Sequence, residues 1–221
     1  MRIALSLRNI SLGVATASFL LAGSAMAQTA QPMQSSQANG RSAPTQDWQM
    51  KGVDARLDHS LDAQSARPGQ IVGAKLDRTV QMTNGAKFPG GTELWGKVEK
   101  VESSQNGGPS SVTLRFTSAQ LKNGQKVPVK VTVISAFPAS AGSTYMNPAG
   151  ELPPPPNHIK PQDKYMQEPG MLGHIEMKSA VQGRNSATFT DDSGNVKLDR
   201  GTYLQVAIAA RNNNSTTRSG M

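Results

Sequence analysis

The chain has 221 residues, 36% of them hydrophobic and 17% charged, with a formal net charge of +8 and no cysteine. Without Cys there is no disulfide framework, no thiolate metal site, no lipidated N-terminal cysteine and no cysteine nucleophile, so a folded domain must be held by its core. The Lys and Arg residues are scattered rather than clustered, so the basic balance fits solubility as well as attraction to an anionic polymer or another envelope component.

Residues 1–27 read as a secretory signal. Arg2 and Arg8 supply the positive start, "ISLGVATASFLLAG" the apolar run, and Ala25-Met26-Ala27 a small-x-small cleavage site. A membrane anchor is the alternative, but the run is short for a span of about 20 residues. The expected location is therefore exported, periplasmic or extracellular, with no transmembrane segment after cleavage. Removal of Arg2 and Arg8 leaves 21 basic against 15 acidic side chains, a balance of +6. Residues 28–47 are Gln, Ser, Ala and Pro with little to bury, and 211–221 ("RNNNSTTRSGM") are equally polar. Both are expected to be disordered.

Between these ends the pattern has a period of two. "VDARLDHSL" puts Val53, Ala55 and Leu57 on one face, "QIVGAKLDRTV" puts Val72, Ala74 and Leu76 together, and "TELWGKVEKV" sets Leu94, Gly96 and Val98 against Glu93, Trp95, Lys97 and Glu99. "SVTLRFTSA", "KVPVKVTVISAF" and "TYLQVAIAA" continue the pattern, with "HIEMKSAV" and "SATFTDD" weaker. Turn chemistry fills the gaps. "TNGAK", "NGQK" and "DSGN" are hairpin signals, and Pro68-Gly69 in "ARPGQ" precedes a strand. No amphipathic helix of ten or more residues is evident. The expected fold is a single all-β domain over 48–210, a small barrel or sandwich.

Residues 138–171 interrupt the pattern with eight of the fourteen prolines, including Pro153 to Pro156. Proline removes ladder donors, so polyproline II or an irregular excursion is expected. The segment is either a recognition arm using Tyr145 and Tyr165 or a surface excursion of variable length.

One motif occurs twice. "FPGGTELWGKV" aligns with "LDRGTYLQVAI", matching Phe88 to Leu198, Gly91-Thr92 to Gly201-Thr202, and Leu94 to Leu204. Each copy reads as a glycine corner feeding a strand whose alternate residues enter one core, and the two strands are expected to be neighbours. Chance recurrence of a common turn idiom is the alternative. Gly96, inside its strand, implies a bulge, a bend or a close backbone.

Pro68-Gly69 with Ala74, then Phe88, Pro89, Gly91, Thr92, Leu94 and Gly96, then Leu114-Arg115-Phe116 with Asn123-Gly124, resembles the periplasmic β-barrel domain of type IV secretion (conjugal transfer) channel scaffold proteins. The match covers roughly 55–135 and 195–209. The resemblance implies a barrel-like fold in the cell envelope, as in small exported bacterial proteins that carry this module alone. Those channel proteins keep an inner-membrane helix and insert a helical antenna, and neither fits this chain, so channel function is not implied.

No catalytic constellation emerges. His59, His158 and His174 have no metal-ligand spacing, and Asp191, Ser193 and Asn195 lack the glycine and glutamate of a calcium loop, so no metal or cofactor is expected. There is no Gly-x-Ser-x-Gly elbow and no phosphate loop. Trp95, Lys97, Lys100 and Arg115 are the candidate binding residues, with too few aromatics for a nucleic-acid platform. The expected function is a non-enzymatic envelope domain with a structural or interaction role. The alternative is a binding module for a polysaccharide or anionic ligand.

Overall fold

The period-two segments become strands around a closed interior. A computed structural model describes residues 49–140, 147 and 152–210, so the signal, leader and tail assignments, and Tyr145, lie outside the described residues. The described strands are β1 (Lys51–Leu57), β2 (Leu61–Asp62), β3 (Ile71–Leu76), β4 (Val80–Gln81), β5 (Lys87–Phe88) and β6 (Glu93–Glu102). They continue with β7 (Ser110–Gln120), β8 (Lys126–Phe137), β9 (Lys164–Leu172), β10 (Ile175–Ala180), β11 (Ala187–Asp191), β12 (Lys197–Leu198) and β13 (Tyr203–Ala210). No helix occurs among the described residues, and none is long and apolar enough to cross a membrane.

Nine strands form one antiparallel sheet in the order β6-β3-β1-β13-β8-β7-β11-β10-β9, and pairing of β6 with β7 closes the first six into a barrel. Val53, Ala55, Leu57, Val72, Ala74, Leu76, Leu94, Val98, Leu114, Val131, Val133, Leu204, Val206 and Ile208 fill the interior, as their alternation predicts. Each Leu or Ile taken out of water contributes about 1.5–3 kcal/mol, which is how a chain without disulfides holds this shape.

The repeated motif has a structural meaning. Gly91 (φ 84°) donates its N–H to Leu76 O at 2.7 Å, and Gly201 (φ 84°) donates its N–H to Leu57 O at 2.8 Å. Leu76 and Leu57 in turn donate to the carbonyls of Thr92 (2.9 Å) and Thr202 (3.0 Å). A positive φ is cheap only without a Cβ, so glycine is required at both corners. The corners tie β6 to β3 and β13 to β1. Contrary to the sequence expectation, β6 and β13 are not neighbours, because β3 and β1 lie between them.

The equivalence extends well beyond the motif. In the central pair, Leu57 faces Ala74 and Ala55 faces Leu76, so a local twofold relates β1 to β3. The same relation carries Asp54↔Gln205 onto Gly73↔Trp95 and Gly52↔Ala207 onto Ile71↔Lys97. It also carries the bulge at Ile134, where Gln205 faces Ser135 but Val206 faces Val133, onto that at Thr117, where Trp95 faces Ser118 but Gly96 faces Phe116. The six barrel strands are thus two similar halves.

An insertion breaks the symmetry. β7 pairs with β8 only over Ser118–Gln120, then turns its edge to β11 over Ser110–Leu114. Side chains stitch the resulting split. Ser186 Oγ accepts the Phe116 N–H at 3.0 Å, and Gln167 on β9 accepts from Ala136 N at 2.8 Å and donates to Ala136 O at 2.9 Å, as a neighbouring strand would. The Pro-rich excursion is therefore shorter than the sequence suggests. Lys164–Leu172 is a strand, tolerating Pro169 because that residue lies beside the β9–β10 hairpin tip on the last strand of the sheet order. β13 is also buried on both faces rather than one, because a segment of the excursion covers its outside.

Gly96 is where the two copies differ, standing in the place of Val206. A Cβ there would lie 2.4 Å from Arg115 O and 2.7 Å from Phe116 Cα, where the bulged β7 backbone presses in. Gly96→Ala should therefore cost about 1–3 kcal/mol in urea unfolding, and an unchanged midpoint would contradict this packing.

Candidate functional site

Because Leu94, Gly96 and Val98 point inward, Trp95 and Lys97 stand on the outer face of β6. There they border a shallow groove of about 380 Å³, lined also by Ile71, Thr117, Ser118, Gln120 and Lys126. Ile71 is 65% exposed, although it begins a strand whose other large aliphatics are buried. Trp95 sits over the β3–β6 ladder opposite Gly73, and its indole N–H is enclosed without a hydrogen-bond partner. The groove thus combines an aromatic ring, an exposed aliphatic and short polar side chains.

The predicted cations do not form a free positive patch. Arg115 faces Lys97 across the ladder, and both approach Glu99, at 3.2 Å and 3.7 Å. The hydrogen bond from Arg115, with the charges of Lys97, Arg115 and Arg184, holds the Glu99 carboxyl below its ordinary range. Lys100 pairs with Glu102 at 2.6 Å, and the Lys100 and Ser111 contacts lower the Glu102 carboxyl. Charges two residues apart share a strand face, so these pairs follow from the "KVEKVE" spacing.

Of the predicted site residues, the structure brings Trp95, Lys97 and Arg115 together, with Lys100 one bulge further along. Tyr165 is elsewhere, on β9, packed against the core with its hydroxyl 3.5 Å from Asp163 Oδ2. Burial and then Asp163 raise its pKa. Among the turn residues, Gly69 donates to Val98 O at 2.8 Å, so the Pro68-Gly69 turn is tied to β6. The sequence reading missed Ile71, Thr117, Ser118, Gln120 and Lys126. Ile71 was detectable as a large apolar residue out of phase with Val72, Ala74 and Leu76.

The described part of the Pro-rich excursion avoids this groove and lies across the other half of the barrel. Leu152 packs on Phe137 and Tyr203, Gln205 Nε2 donates to Pro153 O, and Pro155 is buried. A Cβ at Gly52 would lie 2.7 Å from Pro155 Cβ. Leu152 and Pro155 are three apart, one turn of polyproline II, so both face the barrel while Pro153, Pro154 and Pro156 stay exposed. Beside this strap, Arg56 stacks on Tyr203 at 4.3 Å and pairs with Asp77 at 3.0 Å. Asp54 pairs with Arg78 at 2.6 Å, yet burial outweighs Arg78 and Gln205 and raises its pKa.

The other candidates do not assemble into chemistry. His59, His158 and His174 are exposed. Asp191 Oδ1 accepts from the N–H and hydroxyl of Ser193, as in an Asx turn. Among the described residues no three His, Cys, Asp or Glu side chains cluster as metal ligands would. The chain matches no protein-family model, and no curated protein matches it.

The raised Asp54 carboxyl has a measurable consequence. The folded chain retains a proton that the unfolded chain releases, so wild-type stability falls as pH rises from the ordinary 3.8 through the folded value. Asp54→Asn lacks this loss. Urea melts at about pH 3 and about pH 7 should show the variant gaining on wild type at the higher pH, and an equal or reversed difference would contradict the assignment.

Proposed function

We propose that the protein is an exported, non-catalytic interaction module of the cell envelope whose contact surface is the outer face of β3, β6 and β7 around Trp95. The observation that carries this reading is the pairing of Ile71, 65% exposed, with a half-exposed Trp95 whose indole N–H lacks a partner. Monomeric surfaces carry isolated apolar side chains, but an aromatic and an aliphatic beside a groove with a polar rim is the composition of an interface anchor. The groove lining offers Thr, Ser, Gln and Lys side chains, which suit hydrogen bonding and orientation. The signal-like N-terminus supports export. The resemblance to the type IV secretion scaffold barrel supports an envelope setting in which a lone barrel acts by contact.

A second reading, of a face for a polysaccharide or other anionic ligand, draws on one feature. Two cations, Lys97 at 3.7 Å and Arg115 at 3.2 Å, share the one carboxylate of Glu99. Binding of this kind weakens as salt rises and is reduced by Arg115→Gln.

A photo-crosslinking residue at Ile71, expressed in intact cells, tests the first reading. One protein adduct of defined mass is expected, lost in Trp95→Ala and absent when the crosslinker replaces the exposed Asn157. Equal labelling at both positions, or none at Ile71, would remove Trp95 as the contact surface. An adduct that disappears with salt and with Arg115→Gln would favour the second reading.

A further inference from the structure

The twofold relation between the halves of the barrel gives the Trp95 groove a counterpart within the same molecule, and that counterpart is occupied. Ile71, Trp95, Lys97, Ser118 and Gln120 hold the register positions that Gly52, Gln205, Ala207, Ser135 and Phe137 hold in the other half. The second set floors the trough in which the chain's own Leu152–Pro156 lies. Each groove is floored by two antiparallel strands and edged by a third that carries the same one-residue bulge. We infer that the Trp95 groove is a recognition site for an extended, proline-rich segment of a partner polypeptide.

This inference rests on the reading of Trp95 as the contact surface and adds the chemistry of what it contacts. Three observations favour a polyproline II occupant. The equivalent trough already holds the Leu152–Pro156 run, received by an aromatic pair, Phe137 and Tyr203, and by the Gln205 amide, which donates to the Pro153 carbonyl. The open groove is not a copy of the trough: Trp95 and Ile71 replace Gln205 and Gly52 and put the apolar surface at the centre of the floor, while Lys97 and Gln120 replace Ala207 and Phe137, so a proline segment would lie on Ile71 and the indole ring rather than where Pro155 sits. Flat indole rings beside aliphatic side chains are the usual receptors for proline rings, whose pre-set backbone loses little entropy on binding. Finally, Ser118 and Gln120 border the ring and can donate to the free carbonyls of such a chain, which has no internal hydrogen bonds of its own. The unpartnered Trp95 N–H is a further donor once the ring turns, and it is the natural reporter of occupancy.

The groove is not filled by the strap itself, because none of its lining residues comes from the described part of 138–163. The strap's sequence nevertheless supplies the probe. A synthetic peptide reading ELPPPPNHIK is titrated into the full chain, followed by nitrogen–proton NMR spectra, with a control peptide in which the four prolines are glycine. Saturable shifts are expected at the Trp95 indole, Ile71 and Ser118, with a Kd between about 10 µM and about 1 mM. The glycine peptide should bind at least tenfold more weakly, and so should the proline peptide to Ile71→Lys, a change at an exposed position that leaves the fold intact. Equal binding of the two peptides, no binding of either, or shifts confined to Gly52 and Gln205 would overturn the inference. If the peptide fails while the Ile71 crosslink to a partner persists, only the proline chemistry falls. If both fail, the contact surface falls with it.

Discussion

Two backbone hydrogen bonds organise the molecule, from Gly91 to Leu76 and from Gly201 to Leu57. Each closes a corner at which the chain leaves a buried apolar residue, Phe88 or Leu198, and enters a long strand beside the one that the bond anchors. A side chain at either glycine would strain the corner. Because both corners are built alike, β3–β6 and β1–β13 form alike, and the β1–β3 ladder between them acts as an axis. The bulges at Thr117 and Ile134 then bend β7 and β8 at matching positions, and the barrel closes over a seam of three residue pairs.

What differs between the halves is where function is to be sought. On one half, small and amphipathic outward residues, Gly52, Ala207 and Gln205, admit a proline strap that buries the outside of β13. On the other, Ile71, Trp95 and Lys97 stand uncovered. The same backbone frame thus carries one filled and one open groove. The inserted β9–β11 strands further distinguish the halves. They prise β7 from β8 above the seam, and Gln167 and Ser186 supply the hydrogen bonds that the missing ladder would have made.

The strands and the core were legible in the sequence because each barrel strand alternates cleanly, and the paired glycine corners were visible as a repeated motif. Neighbour relations were not, since period two says which face a residue takes and nothing about which strand it lies beside. The twofold between β1 and β3 was hidden for the same reason: "ARLD" and "AKLD" match in sequence, but their relation appears only in the register. β9 was masked by Pro169, which a last strand near its hairpin tip tolerates. The alternation in "TELWGKVEKV" put Trp95 and Lys97 opposite the buried Leu94 and Val98, and the register adds Arg115 opposite Lys97. The ion pairs with Glu99 were implicit in the spacing but left unread. Tyr165 was read as part of a Pro-rich recognition arm, but it lies on β9 and packs against the core.

Native-state hydrogen exchange tests the corner geometry most directly. Gly91 and Gly201 lie outside any strand, so a loop reading assigns them fast exchange. The account predicts that their amides exchange together with the slowest amides of β3 and β1, to whose terminal leucines they are bonded, and well behind the exposed turn glycines Gly85 and Gly124. Exchange of either corner amide at the rate of Gly85 or Gly124 would contradict it.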